Sequence, residues 1–254
     1  MQAGSDGVSI LPAWRYGFPA WRYGIARASM ARMTQWMGVA LASLFMAGAC
    51  AATVQDSLAY VSASRDFVEL KAEGGLAIDL KYASTDNFVG QNLYGVFNKA
   101  YLHRIAADKL AQALKNLAAI NPRYRLVVYD ALRPRSVQYL LWDKVKGTDK
   151  QKYVANPRGG SIHNYGFALD ISILDELGKA LDMGTPLDDF TDLAQPQLEQ
   201  QFLKAGKLTA QQVNNRLLLR RVMEGAGFIQ LPLEWWHYDA LPKTELKSRF
   251  RIVE

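Results

Sequence analysis

The hydrophobic positions of residues 53–254 recur with two periods, one typical of helices and the other of strands. A helical period predicts a helix over residues 104–120, where Ile105, Leu110, Leu114 and Leu117 share one face and Asn121-Pro122 follows. A shorter helix is predicted over residues 137–145. A third helix begins after Thr209, because Thr209 and Gln212 form a capping box, and ends near Gly225.

Four segments have the alternation or the β-branched and aromatic composition of strands: residues 76–82, 124–129, 167–173 and 234–239. Within residues 53–254, no stretch rich in proline, glycine or serine separates these elements, and no glycine-rich phosphate loop joins a strand to a helix. The pattern predicts a single α+β domain over residues 53–254, with a central antiparallel or mixed sheet flanked by helices.

Residues 1–52 differ in composition from the rest of the chain. No charged side chain occurs over residues 33–55, Arg27 and Arg32 precede this stretch, and small residues surround Cys50. A positive start, a short apolar centre and a small-residue end predict a signal peptide over residues 30–52, and therefore export to the periplasm. The alternative is a retained membrane-spanning helix, which needs about 20 strongly apolar residues.

Two further features belong to the same region. The sequence AWRYG occurs at residues 13–17 and again at 20–24, and residues 1–29 are predicted to be an untranslated or disordered leader before a start at Met30 or Met33. Residues 47–50 (AGAC) resemble a bacterial lipobox, so a lipid on Cys50 is an alternative end to the signal. Membrane attachment is expected only in that case.

The charge and the cysteine content exclude several classes of site. The chain has 254 residues, with 30 Lys plus Arg against 24 Asp plus Glu. Because part of the basic excess lies in residues 1–52 and no run of five or six basic residues occurs, nucleic-acid binding is not predicted. The single cysteine excludes an intrachain disulfide and a cysteine-rich zinc cluster, so any metal site must use histidines and carboxylates.

Two of the three histidines lie beside carboxylates in segments of unusual composition. Residues 159–170 (GGSIHNYGFALD) carry His163 among glycines and place Asp170 on the small, polar side of the strand over residues 167–173. Such a carboxylate suggests a pocket floor, and the alternative is a solvated strand face. Residues 231–239 (LPLEWWHYD) place Glu234 and His237 among three aromatic residues, where an unpaired buried charge is costly. The alternative there is a buried histidine that is hydrogen-bonded to the glutamate.

The two segments together predict a catalytic metal site. His163, Asp170 and His237 supply two imidazoles and a carboxylate, and three protein ligands with an open fourth position are typical of catalytic zinc. Glu234 is then the candidate general base, which takes a proton from water and passes it to the leaving amine. Because Glu234 and His237 would point to opposite faces of a regular strand, we expect an irregularity between them or a strand that begins after Glu234. His103 has no such partners and is predicted to be structural.

These residues resemble the signature of a known family. Ser161, His163, Gly166, Ala168 and Asp170, followed by EWWH at residues 234–237, are similar to the motif of the D-Ala-D-Ala metallopeptidases, which are related to hedgehog domains. The resemblance extends over residues 79–239 through KYA at 81–83, DNF at 86–88, DALRP at 130–134 and MGT at 183–185. The doubled tryptophan and the DNF segment indicate the D-alanyl-D-alanine dipeptidases of the vancomycin-resistance type.

The resemblance implies a hedgehog-like fold and roles for named residues. It implies one zinc ion per chain on His163, Asp170 and His237, with Glu234 as the general base. It also implies that Arg133 stabilises the tetrahedral intermediate, since a fixed guanidinium can face the developing oxyanion. Asp130 is expected to hold Arg133 in place.

The expected substrate is a small D-amino-acid dipeptide. By the same resemblance, Ser161, Asp188 and Tyr82 bind its charged ends and backbone, and Asp188, which precedes Asp189, suits an ammonium group. The chain has Ala131-Leu132 where the family usually has a Gly-Tyr pair, and this departure is expected to enlarge or dry the pocket.

Three functions fit the sequence. The first is zinc-dependent hydrolysis of D-Ala-D-Ala, and the second is a D,D- or L,D-carboxypeptidase that acts on peptidoglycan stem peptides. The third is an inactive hedgehog-like zinc-binding module, although a purely structural zinc site needs neither Glu234 nor Arg133. The sequence makes no prediction of the oligomeric state.

Overall fold

The structure is a computed structural model and describes residues 54–254. The predicted leader over residues 1–29, the predicted signal peptide over residues 30–52 and Cys50 lie outside the described residues. These assignments, and the domain boundary at residue 53, stay predictions. Within the described part of the chain, no helix is long and apolar enough to cross a membrane.

A five-stranded mixed sheet lies at the centre of the described residues, in the order β2-β4-β5-β7-β6. Its strands are β2 (Leu76–Ile78), β4 (Arg125–Asp130), β5 (Ala168–Leu174), β6 (Ile229–Gln230) and β7 (His237–Asp239). Strands β2 and β4 are parallel and the other neighbours are antiparallel. A separate antiparallel pair is formed by β1 (Phe67–Glu69) and β3 (Tyr101–His103). The predicted α+β class with a mixed sheet is confirmed.

The described residues also form helices. They are α1 (residues 54–63), α2 (Arg104–Ile120), α3 (Arg135–Val145), α4 (Glu199–Lys204), α5 (Ala210–Glu224) and α6 (Lys243–Arg249). Of these, α2 and α5 contact strands of the central sheet. Short 3₁₀ helices occur at Lys81–Ala83, Asp149–Tyr153, Ile162–Tyr165, Asp192–Ala194 and Pro196–Leu198. Helix α2 packs against β4 and α5, and α5 begins with the predicted capping box of Thr209 and Gln212.

Helix α2 has the bounds that its apolar face predicted. His103 caps its first turn, because the Nδ1 atom of the ring accepts the Ile105 amide at 3.3 Å. The same ring stacks on Phe167, with centroids 4.3 Å apart. At the other end, the Asn121 amide donates to the Leu117 carbonyl. His103 therefore caps the start of a helix and, half-buried, packs against the core residue Phe167, which agrees with a structural role.

Two predicted strands are shorter than expected, for reasons that matter to the site. The strand predicted over residues 76–82 ends at Ile78, because the chain turns into a 3₁₀ helix that buries Tyr82. The strand predicted over residues 234–239 begins at His237. A turn precedes it, in which the Glu234 amide faces the Leu231 carbonyl at 3.4 Å, so Glu234 lies before the strand.

Candidate metal centre

Three acidic or imidazole side chains form one row across the sheet. Asp130 on β4 lies opposite Asp170 on β5, and Asp170 lies opposite His237 on β7. The ladder between β4 and β5 shifts between Val128 and Asp130, which brings Asp130 into this row. All three residues are buried. Strand register alone therefore places the candidate ligands Asp170 and His237 next to each other, with Asp130 next to Asp170.

His163 reaches the row from the 3₁₀ helix Ile162–Tyr165. Gly166 follows this helix, and its φ of 73° is in the left-handed region. A Cβ atom at Gly166 would lie 2.9 Å from the backbone nitrogen of His103, so only glycine fits this turn. The Arg133 amide donates to the His163 carbonyl at 3.1 Å and ties the helix to the chain after β4.

The three candidate ligand atoms surround one point. His163 Nε2 lies 3.2 Å from His237 Nδ1 and 3.5 Å from Asp170 Oδ1, and the last two atoms are 3.0 Å apart. Ligands in a tetrahedron with bonds of about 2.1 Å lie about 3.4 Å from one another, so this spacing fits zinc. Among the described residues, these three are the histidine and acidic side chains whose ligand atoms lie close enough together to hold a metal ion.

The hydrogen bonds of the two imidazoles leave the right atoms free for a metal. His163 Nδ1 donates to the Ala131 carbonyl at 2.7 Å, and His237 Nε2 donates to Asp239 Oδ1 at 2.8 Å. Lone pairs on His163 Nε2 and His237 Nδ1 then face the Asp170 carboxylate. A buried cluster of three such acceptors needs a cation, and neighbours that fix the ring tautomers are typical of metal sites.

The charges of the site also favour a cation. Burial acts to raise the pKa of Asp170, but the two imidazoles hold it well below its usual range. Burial acts to lower the pKa of His237, but Asp239 and Asp170 raise it well above its usual value. The same carboxylates that favour a proton on His237 also favour a metal ion there. The proton and the metal ion compete for the same lone pair of the imidazole.

Glu234 lies at the edge of this cluster. Its Oε2 atom is 3.9 Å from His237 Nδ1, and the carboxyl is buried. Burial raises the pKa of Glu234 to about 8, and the negative charges of Asp170 and Asp188 act in the same direction. A carboxyl with a pKa near neutrality can both accept and return a proton.

Arg133 is fixed by three neighbours. Its Nε and Nη2 atoms donate to Asp130 Oδ2 at 2.8 and 2.5 Å, and its Nη1 atom donates to Gln138 Oε1 at 2.8 Å. The guanidinium lies over the Tyr82 ring, 5.0 Å from the centroid, and its Nη2 atom is 3.5 Å from Asp170 Oδ2. A buried cation is therefore held next to the candidate metal ligands.

A cavity of about 240 Å³ opens onto these groups. Its wall contains eight of the nine predicted site residues: Tyr82, Arg133, Ser161, His163, Asp170, Asp188, Glu234 and His237. Asp130, the ninth, lies behind Arg133. The Tyr82 hydroxyl donates to the Asp188 carboxylate at 3.0 Å, and burial, followed by the charge of Asp170, raises the pKa of Asp188 to about 7.

Two neighbours of predicted residues lie away from the cavity. Asp189 is not on the cavity wall, although Asp188 is, so the structure separates the two aspartates. Leu132 is buried in the core beside Gly166. The Leu132 side chain does not line the cavity, and the expectation that Ala131-Leu132 enlarges or dries the pocket stays a prediction.

Three further residues contact the site but were not predicted. Asp239 follows His237 by two positions on β7, so their shared face was a usable signal. Gln138 binds Arg133 from the first turns of α3. The Tyr94 hydroxyl donates to Asp130 Oδ1 from 36 residues away, and nothing in the sequence near Tyr94 indicates that contact.

A second, larger cavity of about 650 Å³ lies along the same polar side of β5. Ser172 lines it, whereas Asp170 lines the smaller one, and Asp188 belongs to both walls. Lys81, Asn87 and Trp235 also lie on its wall.

Two imidazoles and a carboxylate around one point, with a buried glutamate and a fixed arginine in a small cavity, are features of a metallopeptidase. The sequence model of the D-ala-D-ala dipeptidase family matches residues 64–253. The chain belongs to this family of metallopeptidases, and the predicted resemblance is confirmed.

Relatives that carry the name D-alanyl-D-alanine dipeptidase support the same assignment. The protein of Escherichia coli (strain K12) is 35% identical over 169 residues, which cover 66% of this chain and 80% of that protein. The protein of Enterococcus faecalis (strain V583) is 29% identical over 196 residues, or 70% and 93% of the two chains. That of Enterococcus faecium is 31% identical over 181 residues, or 65% and 85%. The chain is a dipeptidase, which excludes the inactive module.

Proposed function

We propose that this dipeptidase hydrolyses free D-Ala-D-Ala, with a zinc ion on His163, Asp170 and His237. The observation that carries the proposal is the spacing of 3.0–3.5 Å among their three facing ligand atoms, with Glu234 and Arg133 on the wall of the same cavity. Two imidazoles, one carboxylate and an open position suit catalytic zinc.

Glu234 is the proposed general base. A zinc ion held by these residues would supply Lewis acidity, which lowers the pKa of a bound water molecule to about 7. Glu234 accepts a proton from the attacking water while the water oxygen forms a bond to the scissile carbonyl carbon. When the C–N bond breaks, Glu234 delivers that proton to the nitrogen of the departing D-Ala. Its raised pKa, caused by burial, keeps it able to hold the proton between the two steps.

Arg133 is the proposed partner of the oxyanion. Its contacts with Asp130 and Gln138 fix the guanidinium before substrate binds. A preorganised donor of this kind contributes about 10²–10³-fold to kcat, because it needs no reorganisation as negative charge develops.

The cavity suits a short substrate with two charged ends. Asp188, supported by the Tyr82 hydroxyl, is the proposed partner of the ammonium group, and Ser161 is the proposed partner of the carboxylate. The volume of about 240 Å³ is below the range of about 300–1,000 Å³ for sites of drug-sized ligands.

A carboxypeptidase that acts on peptidoglycan stem peptides is the second candidate. One observation favours it: Asp188 lies on the wall of both cavities. A substrate that extends beyond its amino end at Asp188 would therefore continue into the larger cavity. Hydrolysis of D-Ala-D-Ala compared with N-acetyl-D-Ala-D-Ala separates the two. We expect the free dipeptide to be strongly preferred. Equal rates on the blocked compound would contradict the dipeptide proposal and support the carboxypeptidase.

We also propose that residues 30–52 direct export to the periplasm and are removed. The support is the charge-free stretch after Arg27 and Arg32 and the small residues around Cys50. The mass of the mature amino terminus in the native host tests this. A start near residue 53 is expected, a lipid on Cys50 would indicate the lipoprotein alternative, and an intact amino terminus would contradict cleavage.

A further inference from the structure

Asp188 lies in residues 183–193, which we call the Asp188 loop and which run into the 3₁₀ helix Asp192–Ala194. Asp188 has a φ of 59° and is the non-glycine residue with positive φ in the described part of the chain. Such a conformation is unfavourable for an L-residue and persists where the surroundings hold it. The position of this carboxylate in the cavity therefore depends on what holds the loop.

Arg216, on α5, binds both ends of the Asp188 loop. Its Nε atom donates to the Met183 carbonyl at 2.6 Å, and its Nη1 atom donates to the Leu193 carbonyl at 3.1 Å. The side chain is completely buried. One planar guanidinium thus joins two backbone positions ten residues apart, with Asp188 midway between them.

Neighbouring residues of α5 hold the residue that precedes the loop. Asn215 Nδ2 donates to the Asp182 carbonyl at 2.8 Å, and Gln212 Nε2 donates to Asp182 Oδ2 at 2.9 Å. A Cβ atom at Gly184 would lie 2.4 Å from Leu208 Cδ2, so the loop runs directly against the segment before α5.

The charge of Arg216 is balanced within the same region. Glu199 Oε1 lies 3.7 Å from Arg216 Nη1, and Arg220 donates to both oxygens of Glu199 at 2.9 Å. Burial lowers the pKa of Arg216, and the charges of Glu199 and Asp189 oppose that shift.

We propose that Arg216 is a positioning residue for substrate recognition: by joining Met183 to Leu193, it holds Asp188 where the carboxylate meets the substrate ammonium. The inference rests on the proposed function of Asp188. Because Arg216 is not on the wall of either cavity, its effect passes through the loop.

The first test measures the loop without using activity. Arg216→Lys keeps the charge near Glu199 but cannot reach both carbonyls with one rigid fork. Arg220→Lys is the matched control, because Arg220 lies on the same helix, pairs with the same glutamate and has no hydrogen bond to the Asp188 loop. We expect backbone amides of residues 183–193 to exchange hydrogen at least about tenfold faster in Arg216→Lys and to be unchanged in the control.

The second test measures recognition of the ammonium. Hydrolysis of D-Ala-D-Ala is compared with that of D-lactoyl-D-Ala, which has a hydroxyl in place of the ammonium. In Arg216→Lys, KM for the dipeptide should rise about tenfold with little change in kcat, while KM for the analogue stays constant.

Each outcome decides a different claim. Unchanged exchange in Arg216→Lys would overturn the role of Arg216 in holding the loop, whatever the activity. Faster exchange with an unaltered preference for the dipeptide would overturn its role in recognition. If the unsubstituted protein releases no D-Ala, the proposed function fails, and the exchange result still decides whether Arg216 holds the loop.

Discussion

Asp130 and Asp170 lie directly opposite each other on neighbouring strands, and the Arg133 guanidinium contacts both carboxylates. Like charges in this position are unfavourable in a sheet. Arg133 compensates them, with Nη2 2.5 Å from Asp130 Oδ2 and 3.5 Å from Asp170 Oδ2. The pair thereby separates two tasks: Asp130 holds the arginine, and Asp170 faces the two histidines.

Substitution Asp130→Asn tests this division. The amide keeps the size of the side chain but removes the charge that binds Arg133, so the guanidinium should be less well fixed. We expect kcat to fall about 10- to 100-fold, less than the 10²–10³ expected for losing an oxyanion donor outright. Zinc content, measured by mass spectrometry of the purified variant, should equal that of the unsubstituted protein. Loss of zinc would show that Asp130 supports His163 instead.

Substitution Glu234→Gln should remove proton transfer and leave the metal site intact. Glu234 lies outside β7 and is not among the three facing ligands, so zinc content should not change. Without a general base, kcat should fall about 10²–10⁴-fold. Steady-state release of D-Ala measures the effect, and full activity in this variant would contradict the assigned role.

Asp239→Asn should weaken the metal site without touching a ligand. Asp239 accepts a hydrogen bond from His237 Nε2 and so fixes the ring with Nδ1 toward Asp170. Loss of such a partner typically costs about 10–100-fold in metal affinity. Competition with a chromophoric chelator measures that affinity. An unchanged zinc affinity would mean that the neighbouring strands alone orient His237.

The KM for the free dipeptide should depend on pH through Asp188. Because its pKa is raised to about 7, the carboxyl of the free enzyme is protonated below that pH and loses its attraction for an ammonium group. KM is therefore expected to rise as pH falls from 8 to 6, and to rise again above about pH 8, where the α-amino group of the substrate loses its proton. In Asp188→Asn, KM should be high and independent of pH over the same range. A pH-dependent KM in that variant would assign the titration to another group.

The sequence predicted much of the fold and the site where one signal acted locally. The bounds of α2 followed from its apolar face and from Asn121-Pro122, and both are properties of adjacent residues. The prediction of an irregularity between Glu234 and His237 was also local. The two residues are three positions apart, and an odd separation cannot place both side chains on one face of a regular strand. In the structure, the irregularity is a turn before β7.

What the sequence could not supply depends on contacts between distant segments. Arg216 binds carbonyls 33 and 23 residues earlier in the chain, and Tyr94 binds Asp130 across a separation of 36 residues. Strands β1, β3 and β6 have two or three residues each, too few for a periodic pattern. The direction of the Leu132 side chain depends in the same way on a distant segment, because it packs beside Gly166.

The central claim is that His163, Asp170 and His237 hold the metal on which hydrolysis depends. The most direct measurement is D-Ala release from D-Ala-D-Ala by the purified protein, first stripped of metal with a chelator and then titrated with zinc. We predict no activity in the stripped protein and full recovery at one zinc per chain, with neither zinc uptake nor recovery in His163→Ala. Undiminished D-Ala release by the metal-free protein would contradict the claim.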